Sequence, residues 1–208
     1  MRAYERLVAD DGYEVLLFPL EYMYMSQDEG GDYSHQGTLS MDFLGWGENG
    51  RVYQCEYYAP CTCSLVLKNY AGAYNIWESS REVHTPLGLT KVCFLVAHDD
   101  NLPYTTGDVI FQGNPLGATG TSGDASGDHV HLNVAIGEYD GQEQVPPNNN
   151  WQLKNSRHIY DMMYVNDTVI VEGYGHDWLI YSGGIGSPKK SKFPWVLYCN
   201  KLRNKRRV

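Results

Sequence analysis

The chain has 208 residues, among them 22 glycines and 17 tyrosines, and a formal net charge of −9. Its length suffices for one hydrophobic core or for a core with an appended lobe. Residues 189–208 contain eight basic and no acidic side chains, so residues 1–188 carry 25 acidic against eight basic side chains and a formal charge of −17. Because duplex binding requires basic side chains that neutralise phosphates, the acidic body argues against nucleic acid as the main ligand. The basic end is predicted to be a solvated segment.

The pattern of apolar residues predicts an all-β protein. Helical periodicity is almost absent, and short β-branched and aromatic runs alternate with glycine and proline, as in antiparallel sheets with many turns. The predicted strands lie in YEVLLFPLEY, CSLVLKNY, KVCFLVAH, DVIFQG, HVHLNVAIG, DTVIVEG, WLIYSGG and FPWVLY.

The first segment with candidate metal ligands is YSHQGTLSMDFLG, where His35 and Asp42 flank a short run of alternating polarity. Residues 1–25 are predicted to form one or two strands leading into it. Asp42 has the apolar flanks of a strand, whereas the nearby Asp32 lies in the loop-like QDEGGDYS. Taken alone, His35 is more simply a loop histidine that hydrogen-bonds to its neighbours.

Residues 73–98 are predicted to form a β-hairpin. One strand runs through 73–79, a loop follows at 80–89, and the second strand runs through 90–98 and ends at His98. A polar residue that caps the end of an apolar strand is an equally simple explanation of His98.

A glycine-rich segment then leads to the triplet His129-Val130-His131. GDVIFQG and GATGTSG lack the spacing of phosphate-binding loops, so they are predicted to be turns that shape a groove. Alternate residues of a strand project from one face, so His129 and His131 are expected roughly 7 Å apart. That spacing allows one ring to bind a metal while the other contacts a metal-bound substrate.

The last part of the chain begins after Gly137 with the linker-like YDGQEQVPPNNN. We predict two parts, a core at 1–137 and a C-terminal β extension at 138–208. So small an extension would have a marginal core of its own, which favours strands that complete the same sheet over an independent lobe.

Other sequence features are assigned structural roles. Cys61-Thr62-Cys63 lacks the usual spacing of a zinc-binding pair, and the five cysteines are predicted to be mostly buried free thiols. His84, His158 and His176 have no matching partners and are expected to be surface or structural residues. No segment approaches the roughly eighteen apolar residues of a membrane span, and the N-terminal residues lack the pattern of an export signal.

In combination, these motifs resemble the lysostaphin-type zinc metallopeptidases. The hallmarks of that family are an early His with a following Asp, a lone middle His, a GD-x-V-x-x-G stretch, a G-x-(S/T)-G turn region and a terminal H-x-H. Their counterparts occur in the same order within about residues 20–137, as His35 and Asp42, then His98, then GDVIFQG and GATGTSG, then His129-Val130-His131. The family's usual gap between the first His and its Asp is shorter than the six residues found here, a longer gap that resembles that of phage-borne members.

The resemblance implies a fold, a cofactor and a set of site residues. The fold would be a duplicated-hybrid-motif-like core whose antiparallel sheets form a substrate groove. The cofactor would be Zn²⁺, held by His35, Asp42 and His131, with a turn at Gly37 that returns Asp42 to the site and Asp32 as the alternative ligand. His98 and His129 would then be the catalytic pair that deprotonates water or stabilises the oxyanion. No histidine is followed by Glu, so the HExxH mechanism is excluded, and no GxSxG elbow supports serine catalysis.

The function implied is that of a zinc endopeptidase cutting peptide stems or cross-bridges of bacterial peptidoglycan. Such an enzyme without an export signal would be carried by a virion or released by host lysis, and phage tail proteins would be further partners. Two alternatives stay open at this level: a catalytically silent structural or wall-binding phage tail protein with the same fold, and a zinc hydrolase acting on another amide.

Overall fold

The structure is a computed structural model that describes residues 1–100 and 102–183. Its regular elements are 17 strands and one four-residue helix, α1 (Ile159–Met162). The prediction of an all-β protein is therefore confirmed. No helix in the described part of the chain has the length and apolar character needed to cross a membrane.

The strands follow one another at short intervals along the chain. In order they are β1 (Tyr22–Gln27), β2 (Met41–Leu44), β3 (Trp46–Gly47), β4 (Gly50–Arg51), β5 (Glu56–Tyr58), β6 (Cys63–Asn69), β7 (Tyr74–Ser79), β8 (Val83–Thr85), β9 (Gly88–Thr90), β10 (Val92–Ala97), β11 (Val109–Ile110), β12 (Pro115–Ala118), β13 (Val130–Ile136), β14 (Gln142–Val145), β15 (Asn150–Leu153), β16 (Ser156–Arg157) and β17 (Val169–Glu172).

Nine of these strands form the main sheet, in the order β11-β6-β7-β10-β13-β2-β1-β17, with β16 added beside β13. All pairs are antiparallel except β1 with β17, which are parallel. Two-stranded sheets pair β12 with β5, β14 with β15, β3 with β4 and β8 with β9.

The central strand β10 is buried along its whole length, because both faces of the sheet are covered. Phe94 and Val96 belong to the large core cluster, whereas Leu95 and Ala97 belong to a smaller cluster on the opposite face. Ala97 is the register partner of His131. The candidate site therefore lies on the face of the smaller cluster, at the end of β10.

The predicted hairpin at 73–98 is present, since β7 and β10 pair antiparallel in continuous register. Its loop contains a second small hairpin, β8–β9, which the sequence did not indicate. Two predicted strands are reduced to isolated bridges. In YEVLLFPLEY, Val15 and Leu17 each pair with a different segment, and in WLIYSGG, which is described up to Gly183, Leu179 alone forms a bridge.

Two strands from the C-terminal part join the main sheet, as β16 pairs with β13 and β17 with β1. The proposed division into 1–137 and 138–208 stays a prediction. Residues 184–208 lie outside the described residues, and with them FPWVLY, the basic segment and Cys199.

The four cysteines within the described residues are all free. Cys61, Cys63 and Cys93 are buried, as predicted, whereas Cys55 is only half-buried. Burial raises the pKa of the Cys61 and Cys63 thiols well above the ordinary value, so both stay protonated and inert.

Candidate metal centre

Three side chains meet at the centre of the candidate site, and two of them are placed by strand register. His131 on β13 is paired with Asp42 on β2, and side chains directly opposite each other in an antiparallel pair lie on the same face. His131 Nδ1 is 3.0 Å from Asp42 Oδ1. His35, from the loop before β2, brings its Nε2 atom within 3.1 Å of His131 Nδ1 and 3.2 Å of Asp42 Oδ1. The three donor atoms thus form a nearly equilateral triangle.

The His35 ring is held in one tautomer. Its Nδ1 donates a hydrogen bond to the Asp28 carbonyl over 3.1 Å, which leaves the lone pair on Nε2, the atom that faces the triangle. The residue is only 1% exposed. A buried imidazole that directs a lone pair at a carboxylate requires a cation or a proton between the two groups.

Asp42 is the only carboxylate in the triangle. Burial by itself raises the pKa of this carboxyl, but contacts with His131 and His35 outweigh burial and lower the pKa below the ordinary value. Its second oxygen, Oδ2, lies 3.6 Å from His129 Nε2 and 3.5 Å from Gln27 Nε2. Asp42 is therefore an anionic group with one oxygen facing His35 and His131 and the other facing His129.

The six residues between His35 and Asp42 form a loop folded against the β14–β15 hairpin. Gly37 has a φ of +80°, and an added Cβ there would collide with the Pro146 carbonyl. Leu39 donates its backbone N–H to Gln152 Oε1 over 3.1 Å. The long gap is thus accommodated by contacts with a distant segment. The neighbouring Asp32 lies exposed in a turn.

His98 and His129 lie beside the triangle. In each ring Nδ1 is bonded to a backbone carbonyl, which leaves Nε2 on the opposite side of the ring. His98 Nδ1 donates to the Ser122 carbonyl over 2.8 Å, and His129 Nδ1 donates to the Gly127 carbonyl over 2.7 Å. The two ring centroids are 4.5 Å apart. Burial lowers the pKa of His98, partly offset by its bond to Ser122, so the ring is neutral at neutral pH and its Nε2 can accept a proton.

The segment that carries His129 is anchored by Asp128, a buried carboxylate. Asp128 accepts hydrogen bonds from Thr119 Oγ1 at 2.7 Å and from the Gln54 backbone N–H at 2.9 Å. Arg51 donates to its backbone carbonyl and lies 3.5 Å from its carboxylate. These contacts fix the start of β13 and, with it, the position of the His129 ring.

Two pockets open on either side of the centre. A polar pocket of about 500 Å³ is lined by Asp42, Arg51 and His129, and an apolar pocket of about 540 Å³ is lined by Leu95, Ala97, Tyr74, Gln142 and Trp151. They share the lining residues Ser34, His98, Asp124 and His131. The two pockets together form one groove that crosses the candidate centre, and no sequence pattern indicated that Trp151 or Tyr74 would lie in its wall.

The triangle fits a zinc ion by its chemistry and its size. Two imidazole nitrogens and one carboxylate oxygen are a common catalytic zinc set, and tetrahedral bonds of about 2.0–2.1 Å separate the donor atoms by about 3.3 Å. The observed separations of 3.0–3.2 Å are close to that value. His35, Asp42 and His131 would hold the ion, and Asp32 is not among the side chains whose ligand atoms meet there.

The remaining histidines have partners that sequence reasoning did not find. His84 Nε2 lies 2.8 Å from Asp11 Oδ2. His158 and His176 contact Glu29 and Asp28, respectively, at 2.7 and 2.8 Å. Each of these pairs joins residues distant in the sequence, so no local pattern indicates them.

One phage protein is similar to this chain along most of its length. It is the morphogenesis protein 1 of Bacillus phage B103, which is 37% identical over 169 residues, or 80% of this chain. The match covers 44% of the phage protein, so the chain spans less than half the length of this relative. No family model matches the chain.

Comparison with solved structures finds several peptidases. A zinc-containing peptidase from Vibrio cholerae has a TM-score of 0.44 at 17% identity, over 63% of this chain and 43% of the other. The catalytic domain of the prophage-encoded M23 protein EnpA from Enterococcus faecalis, in a mutant form, has a TM-score of 0.40 at 17% identity, over 64% and 88%. The catalytic domain of lysostaphin from Staphylococcus simulans has a TM-score of 0.36 at 14% identity, over 59% and 80%. Each likeness covers less than two thirds of this chain.

Proposed function

We propose that this chain is a zinc-dependent endopeptidase that hydrolyses peptide stems or cross-bridges of bacterial peptidoglycan, in the service of a bacteriophage. The observation that carries the proposal is the arrangement of five side chains from four segments. His35, Asp42 and His131 bring three donor atoms together, and the imidazoles of His98 and His129 lie beside them. The phage context is supported by the similarity to the phage morphogenesis protein.

Zinc bound by the triangle would lower the pKa of a bound water to about 7 and polarise a substrate carbonyl. The protein's own contribution is to position and move protons. His98 Nε2 is a neutral acceptor on one side of the triangle, and its bond to the Ser122 carbonyl keeps the proton on Nδ1. His129 Nε2 lies 3.6 Å from Asp42 Oδ2, at the edge of the triangle, where it could donate to an oxyanion or a leaving amine.

The shape of the groove suits an extended peptide as the substrate. It extends to both sides of the centre, and its lining contains polar groups on one side and the apolar Leu95 and Ala97 on the other. The peptidoglycan assignment rests on the lysostaphin-type motifs of the sequence, because a groove of this kind accepts peptides of many compositions.

A second candidate function is supported by the name of the similar phage protein. A morphogenesis protein acts in assembly, so a catalytically silent component of the phage particle that keeps the site is the rival proposal. The rival predicts zinc binding without hydrolysis. The presence of both His98 and His129 beside the triangle favours the enzyme, since a purely structural metal site uses neither.

The decisive experiment measures the release of new amino groups from purified peptidoglycans of several cross-link types. The wild-type protein is expected to release them, and a chelator is expected to abolish the release until zinc is restored. His98→Gln keeps a similar volume but should lower the rate by about 10²- to 10⁴-fold with its zinc content unchanged, because a general base contributes about that factor.

His84→Gln is the matched control, because His84 also contacts a carboxylate but lies outside the groove. It should retain both zinc and rate. A wild-type protein that holds zinc but releases no amino groups from any substrate would favour the structural candidate. Full activity in His98→Gln would instead show that another residue acts as the general base.

A further inference from the structure

A second group of metal-binding side-chain types adjoins the candidate centre through Asp28, whose carbonyl contacts His35. It consists of Asp28 and Glu29, which follow β1, and of His158, Tyr160 and His176 from the C-terminal part of the described chain. Its residues come from segments about 130 to 150 positions apart, which the fold brings together. Asp28, Glu29 and His176 each offer a ligand atom, and the three atoms lie within 4.8 Å of one another.

Both imidazoles of the group face a carboxylate symmetrically. His176 Nε2 lies 2.8 and 2.9 Å from the two oxygens of Asp28, and His158 Nδ1 lies 2.8 and 2.7 Å from the two oxygens of Glu29. His35, His98 and His129 instead each donate Nδ1–H to a backbone carbonyl. In the second group the histidine nitrogens face carboxylate oxygens, and both atom types are ligands that zinc takes in proteins.

The rings of the group are held in place before any ligand arrives. Tyr160 stacks on His158 with centroids 5.0 Å apart and planes at 16°, and on His176 with centroids 4.3 Å apart and planes at 15°. Tyr160 also donates its hydroxyl hydrogen to Glu29 Oε1 over 2.9 Å. The stack keeps both imidazoles parallel and beside the two carboxylates, which lowers the entropic cost of binding an ion.

The two carboxylates of the group lack a lysine or arginine partner within the described part of the chain. Asp28 and Glu29 are adjacent, their side chains are only 24% and 14% exposed, and among the described residues no Lys or Arg forms an ion pair with either. Two neighbouring carboxylates with little access to water are stabilised by positive charge close to them, and one divalent ion held between them would supply it.

We propose that Asp28, Glu29 and His176 hold a second zinc ion, with His158 orienting Glu29 beside it. Two carboxylates and an imidazole are a plausible zinc set, and small rotations of partly exposed side chains bring the donors to the spacing of about 3.3 Å that zinc requires. Partial exposure leaves room for a water as the fourth ligand.

The second ion has a structural consequence for the first centre. The Asp28 carbonyl is the acceptor that fixes His35 in its ligand tautomer. An ion bound by the Asp28 carboxylate ties this residue to His176 and so holds the carbonyl in place. Loss of the second ion should therefore weaken zinc binding at the first centre without removing any of its ligands.

The test counts zinc ions per folded chain. The protein, freed of metal by dialysis against a chelator, is titrated with Zn²⁺ in a calorimeter, and its zinc content is measured by elemental analysis after desalting. The wild type should bind two ions, and His176→Ala and His131→Ala should each bind one. His84→Ala, which breaks a pair with a single carboxylate, should still bind two.

A second variant guards against misfolding. Glu29→Gln keeps the shape of the side chain and its bond to Tyr160 but removes a charge, and it should also lose one ion while its circular dichroism spectrum stays that of the wild type. A wild type that binds one ion, lost in His131→Ala but kept in His176→Ala, would overturn the proposal and show that the second group is a pair of histidinium–carboxylate contacts. One ion that is lost in His176→Ala and kept in His131→Ala would support the second site and instead refute the first centre.

Discussion

Replacement of Gly37 by alanine tests how the long gap between His35 and Asp42 is built. The glycine has a φ of +80°, and a Cβ added to it would collide with the carbonyl of Pro146 in the turn of the β14–β15 hairpin. The alanine variant must therefore either move the loop away from the hairpin or strain both segments. Either response displaces the two ligands that flank the loop.

The expected loss of stability has two parts. An L-residue in the left-handed region costs about 1–2 kcal/mol relative to glycine. An extra methyl group forced into a well-packed contact costs about 1–3 kcal/mol more. The sum, about 2–5 kcal/mol, is a large fraction of the roughly 5–15 kcal/mol by which a typical domain is stable.

Gly12→Ala is the matched control for the backbone part. Gly12 has a φ of +83°, and nothing lies within 4 Å of a Cβ added there. Urea denaturation of the two metal-free variants should show that Gly37→Ala loses at least about 1 kcal/mol more than Gly12→Ala, the lower end of the packing cost. A zinc titration should show weaker binding in Gly37→Ala alone. Equal losses of stability and unchanged zinc affinity would refute the idea that the hairpin holds this loop in place.

Further predictions concern the groove and the metal. Asp42→Asn should lose zinc and Asp32→Asn should keep it, as measured by elemental analysis, since only the former lies in the triangle. Removal of zinc that was present at about 100 times its dissociation constant should lower the free energy of unfolding by about 2.7 kcal/mol, and calorimetry should find the melting temperature lower by about 5–10 °C. Trp151→Ala should raise KM by about five- to tenfold with melting temperature nearly unchanged, because Trp151 is 58% exposed at the rim of the apolar pocket. The pH–rate profile should lose activity on the acid side only below about pH 6.5, the ordinary pKa of histidine. The reason is that the lowered pKa of His98 keeps the ring neutral, and able to act as a base, until the pH falls through that pKa. Loss of activity already above about pH 6.5 would contradict the role of His98 as the base.

The sequence was a good guide wherever a local pattern determines structure. Apolar runs and alternation located β6, β7, β10 and β13, and the apolar flanks of Asp42 placed it on a strand. Backbone period alone puts His131 on a strand and His129 at its start. These features depend on residues a few positions apart, which is the range over which propensity and pattern are informative.

The parts that the sequence did not reveal depend on pairing between distant segments. Nothing local indicates that β2 lies beside β13 in the register that joins Asp42 to His131, or that β17 runs parallel to β1. The partners of His158 and His176 are more than 100 residues away. Such contacts depend on how the strands of the whole sheet pack together. A pattern read along the chain therefore contains no information about them.

Three sets of contacts fix the positions of the three donor atoms, and two of these sets involve residues after 137. Strand register fixes Asp42 against His131, and the Asp28 carbonyl fixes the His35 ring. The hairpin fixes the loop between them through Leu39 and Gln152, and Asp28 is itself held by a contact with His176. Because a metal centre tolerates ligand displacements of only about 0.5 Å, supports of this kind are needed as much as the ligands themselves. The segment 138–183 is therefore part of the candidate centre, although it supplies no ligand to the triangle.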